Sequence, residues 1–244
     1  MTAGISFNIY VMSYQRYDRI VTKDLFEYCT YVVREEEADK YREAGVDNLL
    51  IIPKDCPVWN FMDTLWWTIW NTPEDVIFIA DDDITRFIYR MNNWLPIDSA
   101  NFINPVETVT AEVERIAQML VDLDLGLAYD GPQKTLFAYD KEWNFKGMPG
   151  HCRWVNKNCL KAKYDCKDMA SSDIDMAMQE MLLNRITLQP KYFLSDAGQM
   201  EVNSGGETNT REETYQGRLA MENKWGKYYS YDVRKNQAKI NIKR

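Results

Sequence analysis

Three consecutive aspartates, Asp81, Asp82 and Asp83, directly follow the apolar run VIFIA at 76–80. Like charges packed at the end of a water-poor strand drive one another toward protonation unless a cation intervenes. Carboxylate oxygens are hard ligands suited to Mg²⁺ or Mn²⁺, ions that commonly complete their coordination with substrate phosphates. The pattern therefore points to a metal-bridged diphosphate held by Asp81, Asp82 and Asp83. The competing reading, an ordinary acidic strand end, more often places one or two carboxylates there.

A second cluster is SSDIDMAMQEM at 171–181. Ser171, Ser172 or Asp173 can cap the helix that follows. Asp173, at the loop-to-helix junction, is also well placed to take a proton from a substrate hydroxyl, and one residue can do both. The third is VNSGGETNTR at 202–211, where Gly205 and Gly206 allow backbone to approach a ligand and Arg211 offers a cationic fork suited to phosphate. An ordinary turn is the alternative there. Arg16 and Arg34 each follow a strand-like run and should project to the same rim as the aspartates, while His151, the single histidine, is a candidate third metal ligand.

These residues need a scaffold that gathers strand ends. The segment 5–13 alternates like a strand and delivers the polar cluster Ser13 to Arg16. The run 28–33 reads as a second strand, followed by the helix-forming EEEADKYREAG that Gly45 ends; 49–52 is a third strand closed by Pro53. Met62, Leu65, Trp66 and Ile69 fall at helical spacing, and the unbroken apolar run before the aspartates fits a central strand buried on both faces. Further helices are predicted over 107–122 and 173–184, with strands and loops forming a cleft wall between 126 and 155. Alternation of strand and helix predicts an α/β layer with ligands collected at the carboxyl ends of the strands.

The chain has 244 residues, 45% hydrophobic and 27% charged, which predicts an ordinary folded protein rather than a disordered or disulfide-stapled one. No apolar run approaches the roughly 18 residues needed to cross a bilayer, and no basic segment precedes an apolar one at the N-terminus. A cytoplasmic location without a membrane partner is the expectation. Five scattered cysteines (Cys29, Cys56, Cys152, Cys159, Cys166) with no CxxC pair argue against a zinc centre. The net charge of −8 is uneven: residues 224–244 carry seven Lys/Arg against one Asp, which leaves a net charge of about −14 on the rest. That terminal stretch interleaves Tyr228, Tyr229 and Tyr231 with cations, a combination that neutralises phosphates and offers stacking faces. The expected organisation is one domain over 1–223 with a basic aromatic arm over 224–244.

In order along the chain, S-Y-x-R (Ser13 to Arg16), VVREEE (Val32 to Glu37), an apolar strand running into DDD, the S-D-I-D helix start and a terminal GG…R resemble a GT-A glycosyltransferase across most of the sequence. More narrowly the set is similar to the TET/JBP-associated glycosyltransferases of bacteriophages, which are thought to add sugars to hydroxymethylated pyrimidines in DNA. The resemblance implies a GT-A-like, Rossmann-type mixed sheet flanked by helices in a single domain. It also implies a hexosyltransferase that uses a nucleotide-sugar donor, UDP by preference, with Mn²⁺ or Mg²⁺ as cofactor. Asp81, Asp82 and Asp83 would hold the ribose and, through the ion, the diphosphate. Ser13, Arg16, Arg34, Asn60, Gly205, Gly206 and Arg211 would contact the donor, and Asp173 would be the general base. DNA containing hydroxymethylated bases is the implied acceptor and host cytoplasm the implied compartment. An extruded base could be received by aromatics such as Trp94, Tyr139, Trp143 or Trp154. The sequence departs from the pattern at Ser172, where an acid usually precedes the catalytic aspartate, at Trp59, where Arg usually precedes Asn60, and in having no histidine after 151.

Two other classes compete. Asp81-x-Asp83-x-Thr85 also satisfies the haloacid-dehalogenase-like phosphatase pattern, though that motif normally follows the first strand and here at least three strand-like runs precede it. A non-enzymatic nucleic-acid-binding module would rely on the basic arm alone, against an acidic remainder that repels a duplex.

Overall fold

The computed structural model describes residues 5–58, 60–90, 93–131, 141–165, 172–197, 211–232, 234 and 237–242. In chain order the strands are β1 Phe7–Met12, β2 Thr30–Arg34, β3 Leu49–Ile52, β4 Val76–Asp81, β5 Ile84–Arg90, β6 Trp94–Pro96, β7 Leu127–Tyr129, β8 Trp143–Asn144, β9 Cys152–Asn156, β10 Gln189–Pro190, β11 Phe193–Ala197, β12 Tyr229–Asp232 and β13 Gln237–Ile240. The helices are α1 Ala38–Glu43, α2 Phe61–Asn71, α3 Pro105–Asp122, α4 Ser172–Leu183 and α5 Arg211–Trp225.

Six strands form a mixed sheet in the order β3-β2-β1-β4-β9-β7. β1, β2, β3 and β4 are mutually parallel, whereas β9 runs antiparallel to both neighbours. The pleat sends alternate side chains to opposite faces. Ile9, Val11, Phe78, Ala80 and Trp154 lie in one buried cluster with Val113, Ile116, Ala117 and Leu120 of α3. Tyr10, Met12, Ile77, Ile79 and Val155 lie in a second with Leu65, Trp66 and Ile69 of α2 and Ala177 of α4. Each fully buried aliphatic side chain in these layers contributes about 1.5–3 kcal/mol. The expected mixed α/β sheet with helices on both faces is therefore the observed architecture.

A smaller antiparallel sheet, β11-β5-β6, leaves the main one at the aspartates: β4 ends at Asp81, and β5 begins at Ile84 and pairs with β11 and β6 instead. The turn Asp82–Asp83 thus joins two sheets. Thr22, fully buried, braces it by donating its hydroxyl to the carbonyls of Asp81 (3.3 Å) and Ile84 (3.1 Å).

At the C-terminal end, Met221 of α5 and Tyr229 of β12 are buried with Ile174, Met178 and Met181 of α4, and Trp225, Tyr231, Ala238 and Ile240 pack against them. The expected stacking faces of this stretch need correction. Tyr229 is 3% exposed, and Tyr231 lies under the Arg218 guanidinium, 3.5 Å from its ring centroid, so neither presents an open stacking face. The pleat of the β12–β13 hairpin puts both tyrosines on its inner side; Tyr228, which precedes the hairpin, remains half exposed. Trp154 is likewise no base-receiving platform: it is fully buried, and its indole N–H donates to the Val113 carbonyl at 2.9 Å. Tyr139 lies outside the described residues. No helix among the described residues is long and apolar enough to cross a membrane.

Candidate functional site

Parallel strands share one carboxyl edge, and the register brings Met12 and Asp81 side by side, with Arg34 ending β2 two residues beyond Val32, the partner of Met12. Because β9 is antiparallel, its N-terminal end meets that edge too: Ala80 pairs with Cys152, and the Asp81 N–H donates to the His151 carbonyl at 3.3 Å. Ser13, Arg34, the aspartates, His151 and Asp130 after β7 therefore collect on one rim, where ligands of open α/β sheets bind.

The three aspartates do different things. Asp82 is 7% exposed; its carboxylate accepts from Ser13 Oγ at 2.5 Å and from the Arg16 guanidinium. Burial pushes its pKa up from 3.8 to about 6, with the Asp83 charge adding to the rise, while Ser13 and Arg16 hold it down. Arg16 also lies 3.4 Å from an Asp83 oxygen. The loop carrying Ser13 and Arg16 is fixed by the buried Tyr41 of α1, whose hydroxyl meets Ser13 Oγ at 2.6 Å and accepts from the Arg16 N–H at 3.2 Å. Asp81 is the aspartate that faces His151, its Oδ2 3.5 Å from Nδ1. That hydrogen bond raises the imidazole pKa, against the lowering effect of burial. Asp81 Oδ1 is buried without a hydrogen-bond partner.

Asp173 lies in the first turn of α4. Burial raises its pKa; the Arg153 charge opposes the rise and the Asp81 charge adds to it, so all three belong to one electrostatic neighbourhood. Arg153, on β9 and 6% exposed, stacks over the Phe61 ring at 4.9 Å. Arg34 lies over the Tyr14 ring at 4.4 Å, beside the loop that holds Ser13. Asn60 is the N-cap of α2, and its side-chain oxygen accepts from the Asp63 N–H at 2.8 Å. Gly205 and Gly206 lie outside the described residues; Arg211 opens α5, and its side chain is likewise outside them.

Three residues here escape sequence reading. Tyr41 looks like any amphipathic-helix aromatic. Asp130, 1% exposed, accepts from the N–H of Cys152 at 2.9 Å and from both the N–H (3.2 Å) and hydroxyl of Ser195, which ties β7 to β11. Asp175, 2% exposed, accepts from Trp225 Nε1 at 2.7 Å and Lys224 Nζ at 2.9 Å, which fastens α5 to α4. An apolar run ending in Asp, as in LAYD, was the only available hint for Asp130.

Among the described residues no group of three or more His, Cys, Asp and Glu side chains forms a preassembled metal cluster. The reason is visible in Asp82, whose oxygens are engaged by Ser13 and Arg16. The oxygens that fit a hard cation belong to Asp81, with its orphaned buried Oδ1, and to Asp83 one turn residue away. The phosphatase pattern loses its basis: its aspartates follow the fourth strand of the chain, and Thr85 donates its hydroxyl to the Asp196 carbonyl at 3.0 Å within the second sheet.

Comparison with solved structures defines the class of fold. Glucosyl-3-phosphoglycerate synthase from Mycobacterium tuberculosis, in complex with Mn²⁺, uridine diphosphate and glucosyl-3-phosphoglycerate, superposes with a TM-score of 0.52 at 8% identity, over 98% of this chain and 88% of that one. The mannosyltransferase PcManGT from Pyrobaculum calidifontis, in complex with GDP-Man and Mn²⁺, gives a TM-score of 0.52 at 12% identity, over 82% of this chain and 59% of that chain. The chain has the GT-A glycosyltransferase fold. No family model and no curated protein sequence matches it.

Proposed function

We propose that this chain is a metal-dependent glycosyltransferase that moves a sugar from a nucleotide-sugar donor, a UDP-sugar, to a hydroxyl acceptor, with a hydroxymethylated pyrimidine in DNA as that acceptor. The observation that carries the reading is the placing of Asp81, with its unpartnered buried oxygen, beside Asp83 at the carboxyl end of β4 in a GT-A fold, with Asp173 in the same electrostatic neighbourhood. The structural neighbours, glycosyltransferases crystallised with UDP or GDP-Man and Mn²⁺, support it.

Asp81 and Asp83 would hold Mn²⁺ or Mg²⁺; the ion, when bound, would neutralise charge developing on the departing nucleoside diphosphate. Arg16 and Arg34 supply further positive charge at the rim for the donor, and Ser13 holds Asp82 in place beside them. Asp173 takes the proton from the acceptor hydroxyl as the oxygen attacks the anomeric carbon and the bond to the diphosphate breaks. A positioned base of this kind contributes about 10²–10⁴ in rate. The Arg153 charge opposes the rise in the Asp173 pKa that burial causes. Gly205, Gly206 and Arg211 belong to the donor-binding set, and Asn60 joins it through groups other than its capping oxygen. The cations of the C-terminal stretch favour a phosphate-rich acceptor, although Lys224 is already engaged by Asp165 and Asp175.

The test is calorimetry with UDP, GDP, CDP and ADP, each with and without Mn²⁺. Mn²⁺-dependent binding of UDP is expected. Failure of every nucleotide to bind would sink the reading. For the acceptor, an oligonucleotide containing 5-hydroxymethylcytosine should gain one hexose by mass spectrometry while its unmodified counterpart does not.

A further inference from the structure

A cavity of about 370 Å³ opens beyond the carboxyl end of β7, between the β8–β10 ribbon, the end of β5 and the C-terminal hairpin. Four cationic residues line it, Arg90, Lys146, Lys191 and Lys239, and no carboxylate residue joins them among the described residues. In a chain with a net charge of −8 that is a pronounced local reversal. Arg90 is 3% exposed and its Nε donates to the Lys191 carbonyl at 3.1 Å, which builds a buried guanidinium into the wall. Lys146 reaches across to the hairpin end and donates to the Ile242 carbonyl at 3.0 Å. Lys239 lies on the opposite face of β13 from the inward-packed Ala238 and Ile240.

The shape is set by close packing. Gly147 lies so near the Gln189 side-chain amide that a Cβ there would collide with it. Gln189 itself is fixed through its amide, which donates to the Met148 carbonyl at 3.0 Å. Like charges around a concave, partly apolar wall repel one another, and such a cleft focuses potential toward anions. The volume accommodates a nucleotide-sized group and not a duplex.

Position ties the cavity to the proposed reaction. β7 is two strands from β4 in the sheet, a separation of about 10 Å. Met148, on the cavity wall, packs against the buried cluster that contains Ile174, Met178 and Met181 of α4, the helix that carries Asp173. We infer that this cavity is an anion subsite that holds a phosphate group of the acceptor, so that the acceptor of this enzyme is phosphate-bearing. The inference rests on the glycosyltransferase reading for the word acceptor, though the anion site itself does not.

The test uses the full chain and the surface double variant Lys146→Gln/Lys239→Gln. Inorganic phosphate titrated by calorimetry should bind the wild type and weaken at least tenfold in the variant, with UDP·Mn²⁺ affinity unchanged in both. As acceptors, 5-hydroxymethyl-dCMP should show a KM at least tenfold below that of its dephosphorylated nucleoside, with the two converging in the variant at similar kcat. A single-variant control, Lys191→Gln, should give an intermediate loss of phosphate affinity. Phosphate that binds wild type and variant equally, or neither, overturns the subsite while UDP·Mn²⁺ binding leaves the donor reading standing. Phosphate binding without any UDP·Mn²⁺ binding overturns the acceptor assignment instead, leaving an anion site. Equal KM values for phosphorylated and dephosphorylated acceptor also overturn it.

Discussion

Asp82 and Arg16 form an ion pair inside the rim, and Ser13 Oγ donates to the same carboxylate at 2.5 Å, so the middle aspartate of the triplet is committed to the protein while its neighbours flank it. A division of labour follows. Asp81→Asn and Asp83→Asn should each weaken Mn²⁺-dependent UDP binding by tenfold or more in calorimetry. Asp82→Asn should leave metal dependence intact and act through the loop that Arg16 and Ser13 belong to. Without a preassembled cluster, Mn²⁺ alone should bind weakly and UDP should strengthen it, by the same factor that Mn²⁺ strengthens UDP. Equal affinity for Mn²⁺ with and without UDP would contradict this.

Asp173→Asn should lower kcat by about 10²–10⁴ with UDP·Mn²⁺ affinity unchanged. The pH profile carries a sign. Burial raises the carboxyl pKa above its ordinary 3.8, and the base works deprotonated, so kcat/KM should fall as pH drops through that raised pKa. Removing the opposing charge with Arg153→Gln should move that acid limb to higher pH. The linked stability runs the other way: the folded chain holds this proton more tightly than the unfolded one, so the contribution of Asp173 declines as pH rises from 3.8 through the raised pKa. An acid limb that stays put in the Arg153 variant would refute the coupling.

How far these features could be read from sequence depends on what each leaves in the residue pattern. The four parallel strands and the aspartate triplet are legible because VIFIA is an unbroken apolar run cut off by charge, and 49–52 matches its strand to the residue. α5 is not, since REETYQGRLAMENKW carries one fully buried apolar side chain, Met221, and so no stripe. β5 hides behind the triplet because RFIYR lacks clean alternation, and its pairing with β11 spans more than a hundred residues. The roles of Tyr41, Asp130 and Asp175 are set by partners distant in sequence, which periodicity does not encode. Asn60 is a donor contact only through the family resemblance, whereas its oxygen caps α2, a role that the position before a helical run itself predicts.

Gly150 marks a second tight contact, just before His151. A Cβ there would collide with the Asp130 carboxylate, which receives the Cys152 N–H and the Ser195 hydroxyl. Gly150→Ala should therefore destabilise by about 1–3 kcal/mol in urea unfolding, the usual cost of overpacking. Because the same contact aligns the start of β9, the His151–Asp81 pair should be disturbed with it, and UDP·Mn²⁺ affinity should fall as well. A variant with wild-type midpoint and affinity would show that the wall yields freely.

Asp175 provides the clearest separation of anchoring from chemistry. Two residues beyond Asp173 on α4, it projects to a different side of the helix and accepts from Gln179 Nε2 at 2.8 Å, Trp225 Nε1 at 2.7 Å and Lys224 Nζ at 2.9 Å. Hydrogen bonds to a charged group contribute about 1.5–3 kcal/mol, and truncation leaves the indole N–H without its acceptor. Asp175→Ala should cost about that much in urea unfolding. Amide exchange should rise through 211–232, and Trp225 emission should shift to the red as its ring meets water. Met221 and Tyr229 remain as apolar anchors against α4, so the helix loosens without detaching and Asp173 keeps its place in the first turn. UDP·Mn²⁺ affinity should consequently be retained, and the acid limb of kcat/KM should not move. A shift of that limb in Asp175→Ala would mean that loosening α5 displaces the first turn of α4.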